Sequence, residues 1–211
     1  MTPKKGNSMG LTPETRPRGR PRAFDEDRFL DASIALFSAA GFAGVSMSDL
    51  KTASGLTTGS IYKAYNGKEG VFACALARYI ALREAEIDAR LSAESDARQK
   101  VATLLRIFAA LSQGRDGRLG CMVVSGVADL DLVGDAATIL RNQLATRRDR
   151  LEQLINEGHS DGSISKEVDP ATTAALLLAM QQGMRILGKV ELMEMDSGTL
   201  VAGALRLLGR A

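Results

Sequence analysis

Gly55-Leu56-Thr57-Thr58-Gly59-Ser60-Ile61-Tyr62 is the stretch whose reading decides the fold of this chain. Thr57 is suited to cap a helix, and Leu56 and Ile61 flank it at the spacing of a hydrophobic staple, so a helix opens here. Just upstream, Val45-Ser46-Met47-Ser48-Asp49-Leu50 carries the same signal, with Ser46 as cap, Asp49 as the capping-box acid, and Val45 with Leu50 as staple. Ala53-Ser54-Gly55 lies between them and supplies a tight turn whose glycine is free to take positive φ. Two short helices on a glycine turn therefore follow one another.

Working outward, Asp25 is a good N-cap, Glu26 and Asp27 place negative charge in a first turn, and Phe24 with Phe29 forms a staple. Apolar residues at Phe29 or Leu30, Ile34, Phe37 and Ala40 keep helical spacing, and Gly41 is a natural stop. One longer helix before two short ones makes a three-helix helix-turn-helix unit over residues 23–72. Residues 1–22 hold four of the five prolines and no apolar periodicity, and read as a flexible basic arm.

Downstream the pattern stays helical, and residues 73–211 read as one larger helical domain. Helices are expected over 68–91, 101–111, 136–157 and 171–189, the last opened by Asp169-Pro170, and Ser197 is expected to cap a final helix reaching about 208. Residues 114–120 form a charged, glycine-rich break, 121–132 an apolar segment, and Gly158 a stop before a loop through Ser160-Asp161-Gly162-Ser163. Cys74 reads as core, and His159 as lying just past a helix end. No strand pattern and no long repeat is present. The fold class is all-α, with about nine helices in total.

Composition removes several functions. Aromatics are 4% and tryptophan is absent, which argues against stacking platforms for sugars or single-stranded bases. The longest apolar run, 174–180, is far below the roughly 18 to 20 residues that span a bilayer, and no apolar region follows Lys4 and Lys5 as in a secretory signal. Two cysteines make no disulfide framework, which suits a cytoplasmic protein. A single histidine excludes a His-rich zinc site, and no metal or cofactor is called for. Catalysis would have to run through Cys121 and His159, and no phosphate-binding or dinucleotide fingerprint is present, so the chain is not read as an enzyme. The net charge of +2 divides unevenly: residues 1–22 are +5 and the rest −3. A basic arm on a mildly acidic body points to a nucleic-acid or acidic-membrane partner.

Gly41-Phe42, Ser46-Met47, Leu50, the stretch 55–62, Lys68-Glu69 and Val71 resemble, in order and spacing, the TetR-type (TetR/AcrR) transcriptional regulators over about residues 24–75. Leu119-Gly120-Cys121-Met122 is similar to a Gly-Cys-aliphatic element of some members. Ala64, Tyr65 and Gly67 depart from the pattern, standing where an aromatic, a Phe and a small polar residue are usual. The resemblance implies a DNA-binding regulator, a ligand-responsive repressor that binds a palindromic operator as a homodimer and is released by a small-molecule effector. It also implies that the larger domain dimerises and holds the effector.

A recognition helix aims its first side chains at base edges while neighbours grip phosphates. The span 57–65 suits that task, and residues 51–68 carry Lys51, Lys63 and Lys68 with no acid among them. Thr57, Tyr62 and Lys68 are candidates for the DNA backbone; Thr58, Ser60 and Lys63 for bases or nearby phosphates. Gly59 permits close approach, Tyr65 at the end of the helix is a further candidate DNA contact, and Ser46 and Met47 face the backbone from the preceding helix. Half-buried core is the lesser alternative for Tyr62. Arg18, Arg20 and Arg22 are either a minor-groove arm or a solubilising tail.

Phe108, Cys121, Met122, Ser125, Met180 and Met184 could surround an effector cavity or be plain core. Arg115 and Arg118 precede Cys121, and a place at a helix start would lower its thiol pKa, so it is either an electrophile or redox sensor or a buried structural cysteine. Ala175, Ala179, Gln182 and Gly183, with Leu200, Gly203, Ala204 and Leu207, mix small and aliphatic residues as a dimer interface does, or pack within one subunit. An effector-free architectural DNA-binding protein is the remaining alternative.

Overall fold

The computed structural model describes residues 25–209. Within them the chain forms α1 (Glu26–Gly44), α2 (Met47–Ser54), α3 (Thr58–Tyr65), α4 (Lys68–Leu91), α5 (Ala97–Leu111), α6 (Gly114–Leu119), α7 (Met122–Ala128), α8 (Ala136–Asp161), α9 (Pro170–Lys189) and α10 (Ser197–Ala204), then a 3-10 turn, Leu205–Leu208. No strand occurs among the described residues. Phe24 and the arm arginines Arg18, Arg20 and Arg22 lie outside them.

Local chemistry sets the helix starts. Asp25 accepts from the Arg28 N–H at 3.1 Å, Ser46 and Asp49 close a reciprocal capping box, and Thr57 accepts from the Ser60 N–H at 3.2 Å. Gly55 ends α2 at φ 67°, a left-handed turn that favours glycine. The last helix departs from expectation: Asp196 caps it, accepting from the Thr199 N–H at 2.7 Å, and Ser197 is its first residue.

Other differences trace to glycines used for close approach. Gly158 does not stop α8, which runs on through His159 to Asp161; a Cβ there would lie 2.5 Å from Ile164. Gly117 and Gly188 let α6 and α9 close on the Ser112 carbonyl, so the expected glycine-rich break is a short helix. Cys74 is exposed rather than core, because the buried face of α4 is set by Val71, Phe72, Ala75 and Leu76.

Two apolar cores hold the helices. One gathers Ile87, Leu105, Leu151, Ile155 and Leu177 from α4, α5, α8 and α9. The other begins in α1–α3 with Phe29, Phe37, Leu50 and Ile61 and continues through Phe72 of α4 to Met122 of α7 and Leu140 of α8. Phe37 and Phe42 both meet the Phe72 ring edge-on, at 5.0 and 5.3 Å between centroids. Glu84 adds a polar tie between α4 and α8: it accepts from Gln143 at 2.6 Å and Arg150 at 2.7 Å, with Arg147 at 3.3 Å. No helix among the described residues is long and apolar enough to cross a membrane.

Candidate nucleic-acid interface and effector cavities

Ile61 and Tyr65, one helical turn apart, root α3 in the core and turn its opposite side outward. Thr57, Thr58, Gly59, Ser60, Tyr62, Lys63 and Ala64 are all exposed. The Thr57 and Ser60 hydroxyls share a hydrogen bond at 3.0 Å, which fixes the helix start. Gly59 meets nothing closer than the Thr57 Oγ1 at 4.0 Å, leaving this end open to a large partner. Tyr62 is 56% exposed, which removes the half-buried alternative. Its ring lies over Gly67, where a Cβ would come within 3.0 Å and where φ is 96°; two observations thus explain a glycine at that position. Ser46 is exposed and Met47 half-buried.

Two expected contacts are corrected. Tyr65 is buried, its ring tilted against Phe29 at 5.4 Å and its hydroxyl donating to Glu26 Oε1 at 2.9 Å. Burial, then the Glu26 carboxylate, push its phenol pKa up. Its ring and hydroxyl are both spent inside the fold. Lys68 donates from Nζ to the carbonyls of Phe42 and Val45, each at 3.0 Å, with Nζ 4.1 Å from the Phe42 ring centroid. It fastens the end of α1 rather than presenting a free ammonium. The Ile61-to-Tyr65 spacing carried the first correction in plain view; the second depends on the return of α4 to α1, which no local pattern reveals.

The expected pocket residues separate. Phe108 and Met184 lie in the first core and Met180 packs against it half-buried, while Met122 lies in the second. Cys121 and Ser125 do line a cavity of about 230 Å³ between α1, α7 and α9. A second cavity of about 350 Å³ lies between α1, α4, α6 and α9, with Tyr79, Arg83 and Asp116 on its walls. Arg185, 4% exposed, borders both. Sequence reasoning missed it, although it is the one charged residue in the 171–188 run.

Cys121 occupies the N-cap position of α7 and its Sγ lies 3.5 Å from the Tyr79 hydroxyl. Burial alone raises a thiol pKa, but the Tyr79 hydrogen bond, Arg185, the Val124 N–H and Arg147 outweigh it and hold Cys121 below the ordinary thiol range. Burial pushes Tyr79 up in turn.

On the outer side of α9, Ala175, Leu176, Ala179, Ile186 and Val190 are exposed, with Gln182 and Gly183 half-buried. Leu200 is half-buried, and Gly203 and Leu207 are exposed. Ala204 is corrected: it is 4% exposed because it packs inward beside Val201. No group of three or more His, Cys, Asp or Glu that could hold a metal occurs among the described residues.

A model described as bacterial regulatory proteins, tetR family, matches residues 29–75. The HTH-type transcriptional repressor ComR of Escherichia coli is 31% identical over 173 residues, covering 80% of this chain and 81% of that protein. The chain belongs to the tetR family. The HTH-type transcriptional repressor DhaR of a Mycobacterium species is 26% identical over 166 residues, covering 77% of this chain and 81% of that protein. Among solved structures, the TetR-family regulator CifR, as a cysteine variant complexed with 26-bp double-strand operator DNA, superposes with a TM-score of 0.74 at 26% identity. It covers 92% of this chain and all of that one. The protein is thus a TetR-family DNA-binding transcriptional repressor, not an enzyme.

Lys68→Met removes a charged donor from two carbonyls, so we expect a loss of about 1.5 to 3 kcal/mol of stability in chemical denaturation. An unchanged denaturation midpoint would return Lys68 to the list of free cations.

Proposed function

We propose that this TetR-family repressor binds a palindromic operator as a homodimer and releases it when a small-molecule effector enters the body of the protein. The observation that carries the reading is the outward face of α3, open at its start, on a module whose first helix also walls both cavities. Residues 1–22 are the arm, 23–72 the DNA-binding module and 73–211 the effector and dimerisation body.

Thr58, Gly59, Ser60 and Lys63 enter the major groove, and Thr57, Tyr62, Ser46 and Met47 meet the backbone. The arginines at 18, 20 and 22 follow the adjacent minor groove. One eight-residue helix reads too few base pairs for operator specificity, so two copies, spaced about one DNA turn apart, are required. The exposed apolar side of α9, together with the exposed Leu207, is the surface that joins them. An effector acts by favouring a body whose two α3 helices no longer match the operator spacing, and its differential affinity for the two states sets the size of the response.

Selection from random duplex DNA should return an inverted repeat bound by two chains. Gly183 has open space around it, so Gly183→Arg should fold, become monomeric in sedimentation, and lose on the order of a hundredfold or more in operator affinity. A variant that stays dimeric would contradict this interface, and an asymmetric site bound by one chain would contradict the dimer.

The lowered Cys121 thiol, hydrogen-bonded with the Tyr79 hydroxyl, favours a second reading in which an electrophile or oxidant is the effector. Cys121→Ser should then abolish operator release by an aldehyde, quinone or peroxide while sparing operator affinity. Release that survives the substitution removes this reading.

A further inference from the structure

We propose that the cavity of about 230 Å³ between α1, α7 and α9 binds a small organic carboxylate, with the Arg185 guanidinium as its charge partner. The inference deepens the effector reading above and rests on it.

Arg185 is buried, and its two hydrogen bonds both leave from Nη2, to the carbonyls of Gly120 at 2.5 Å and Asp116 at 3.3 Å. Nε and Nη1 are buried with no hydrogen-bond partner among the described residues, and no carboxylate there pairs with the side chain. An arginine cannot escape such a position by losing its proton, and an uncompensated buried cation costs several kcal/mol. A planar guanidinium with unused N–H groups is also the side chain best matched to a carboxylate.

The two cavities that Arg185 borders differ in charge. The larger is walled by Asp31, Glu86 and Asp116 against Arg83 and Arg185, one more acid than base, with Asp31 already paired to Arg78 and Glu86 to Arg83. The smaller has no carboxylate among its lining residues; its one acidic group is the Cys121 thiol, which Arg185 helps to hold low, and Lys189 joins Arg185 there. Lys189 gives its ammonium to the carbonyls of Ala39, Arg118 and Leu119, so Lys189 and Arg185 both contribute positive potential to this cavity. The remaining wall is mainly apolar, with Val124, Ala128 and Ile186. Its volume falls below the roughly 300 to 1,000 Å³ of drug-sized sites, which restricts the occupant to a small acid with an apolar body. Ser38, Ala39 and Gly41 of α1 form one side, so an occupant bears directly on the helix that carries the DNA-binding module.

Cys121 on the same wall provides a reporter. Iodoacetate and iodoacetamide both alkylate a thiolate by displacing iodide, and they differ in charge, so their product ratio is independent of the thiolate fraction. The full-length protein is treated with an equimolar mixture, and the ratio at Cys121 is compared by mass spectrometry with that of the neutral thiol N-acetylcysteine amide. We expect the carboxymethyl share at Cys121 to be enriched on the order of tenfold. Benzoate should protect Cys121 and benzamide should not, and Arg185→Gln should remove the enrichment while Arg185→Lys retains part of it. The wild-type measurements stand even if the glutamine variant fails to fold. A ratio at or below that of the small thiol, equal protection by benzamide, or a Cys121 that reacts with neither reagent would overturn the proposal. Operator binding is read on the same samples. Lost anion selectivity with intact operator binding sinks this inference alone, whereas a protein that binds no operator sinks the regulator reading.

Discussion

The chain breaks out of helical geometry at Gly41, where φ is 73°, and four groups from elsewhere close on the end of α1 around that kink. Ser125 donates to the Phe37 carbonyl at 3.1 Å and Lys189 to that of Ala39 at 3.0 Å. Asp129 accepts from the Ala43 N–H at 3.0 Å, and Lys68 holds the carbonyls of Phe42 and Val45. Three of these groups belong to the larger body, on α7, just beyond it, and on α9. A residue with a side chain at position 41 would face both the unfavourable φ and the Asp129 carboxylate, which lies 3.0 Å from an ideal Cβ. Underneath, Phe72 meets Phe37 and Phe42 edge to face, and those two rings lie nearly parallel at 6.2 Å, as one cluster. The DNA-reading helices therefore hang from a joint two of whose polar ties, those from Ser125 and Lys189, come from the walls of the smaller cavity.

This joint explains how two distant tasks share one chain. α3 is short and is held mainly by Ile61 and Tyr65, so its position follows that of α1 and α4. Both cavities are walled by α1 and α9, and Arg185 borders each. A ligand that distinguishes two positions of α9 against α1 thereby distinguishes two positions of α3. Discrete repacking at a close-packed joint, rather than a gradual bend, is what the aromatic cluster favours.

Much of this was legible in the sequence, because the helix-turn-helix is written in local chemistry: Ser46 with Asp49, Gly55, and Thr57 ahead of Ile61 each act within one turn. The limits of α4 could be read for the same reason. Long-range use was not legible. Lys68 looks like a phosphate ligand until α4 is seen to return its side chain to α1, and Gly158 looks like a stop until Ile164 is seen to pack on it. Met180 and Met184 fit a pocket by type, but packing decides whether a methionine fills a core or lines a cavity, and here they fill and flank a core. Arg185 is the converse case, a charge whose meaning depends entirely on which helices surround it.

The most direct test of the joint uses operator DNA as the only ligand. Hydrogen-exchange mass spectrometry of the full chain, with and without its selected operator, reads each helix separately. If α1 couples the DNA module to the cavities, operator binding slows amide exchange at residues 37–45 and, through them, at 120–129 and 185–190, far from the DNA. Slowing confined to residues 46–68 would contradict that account.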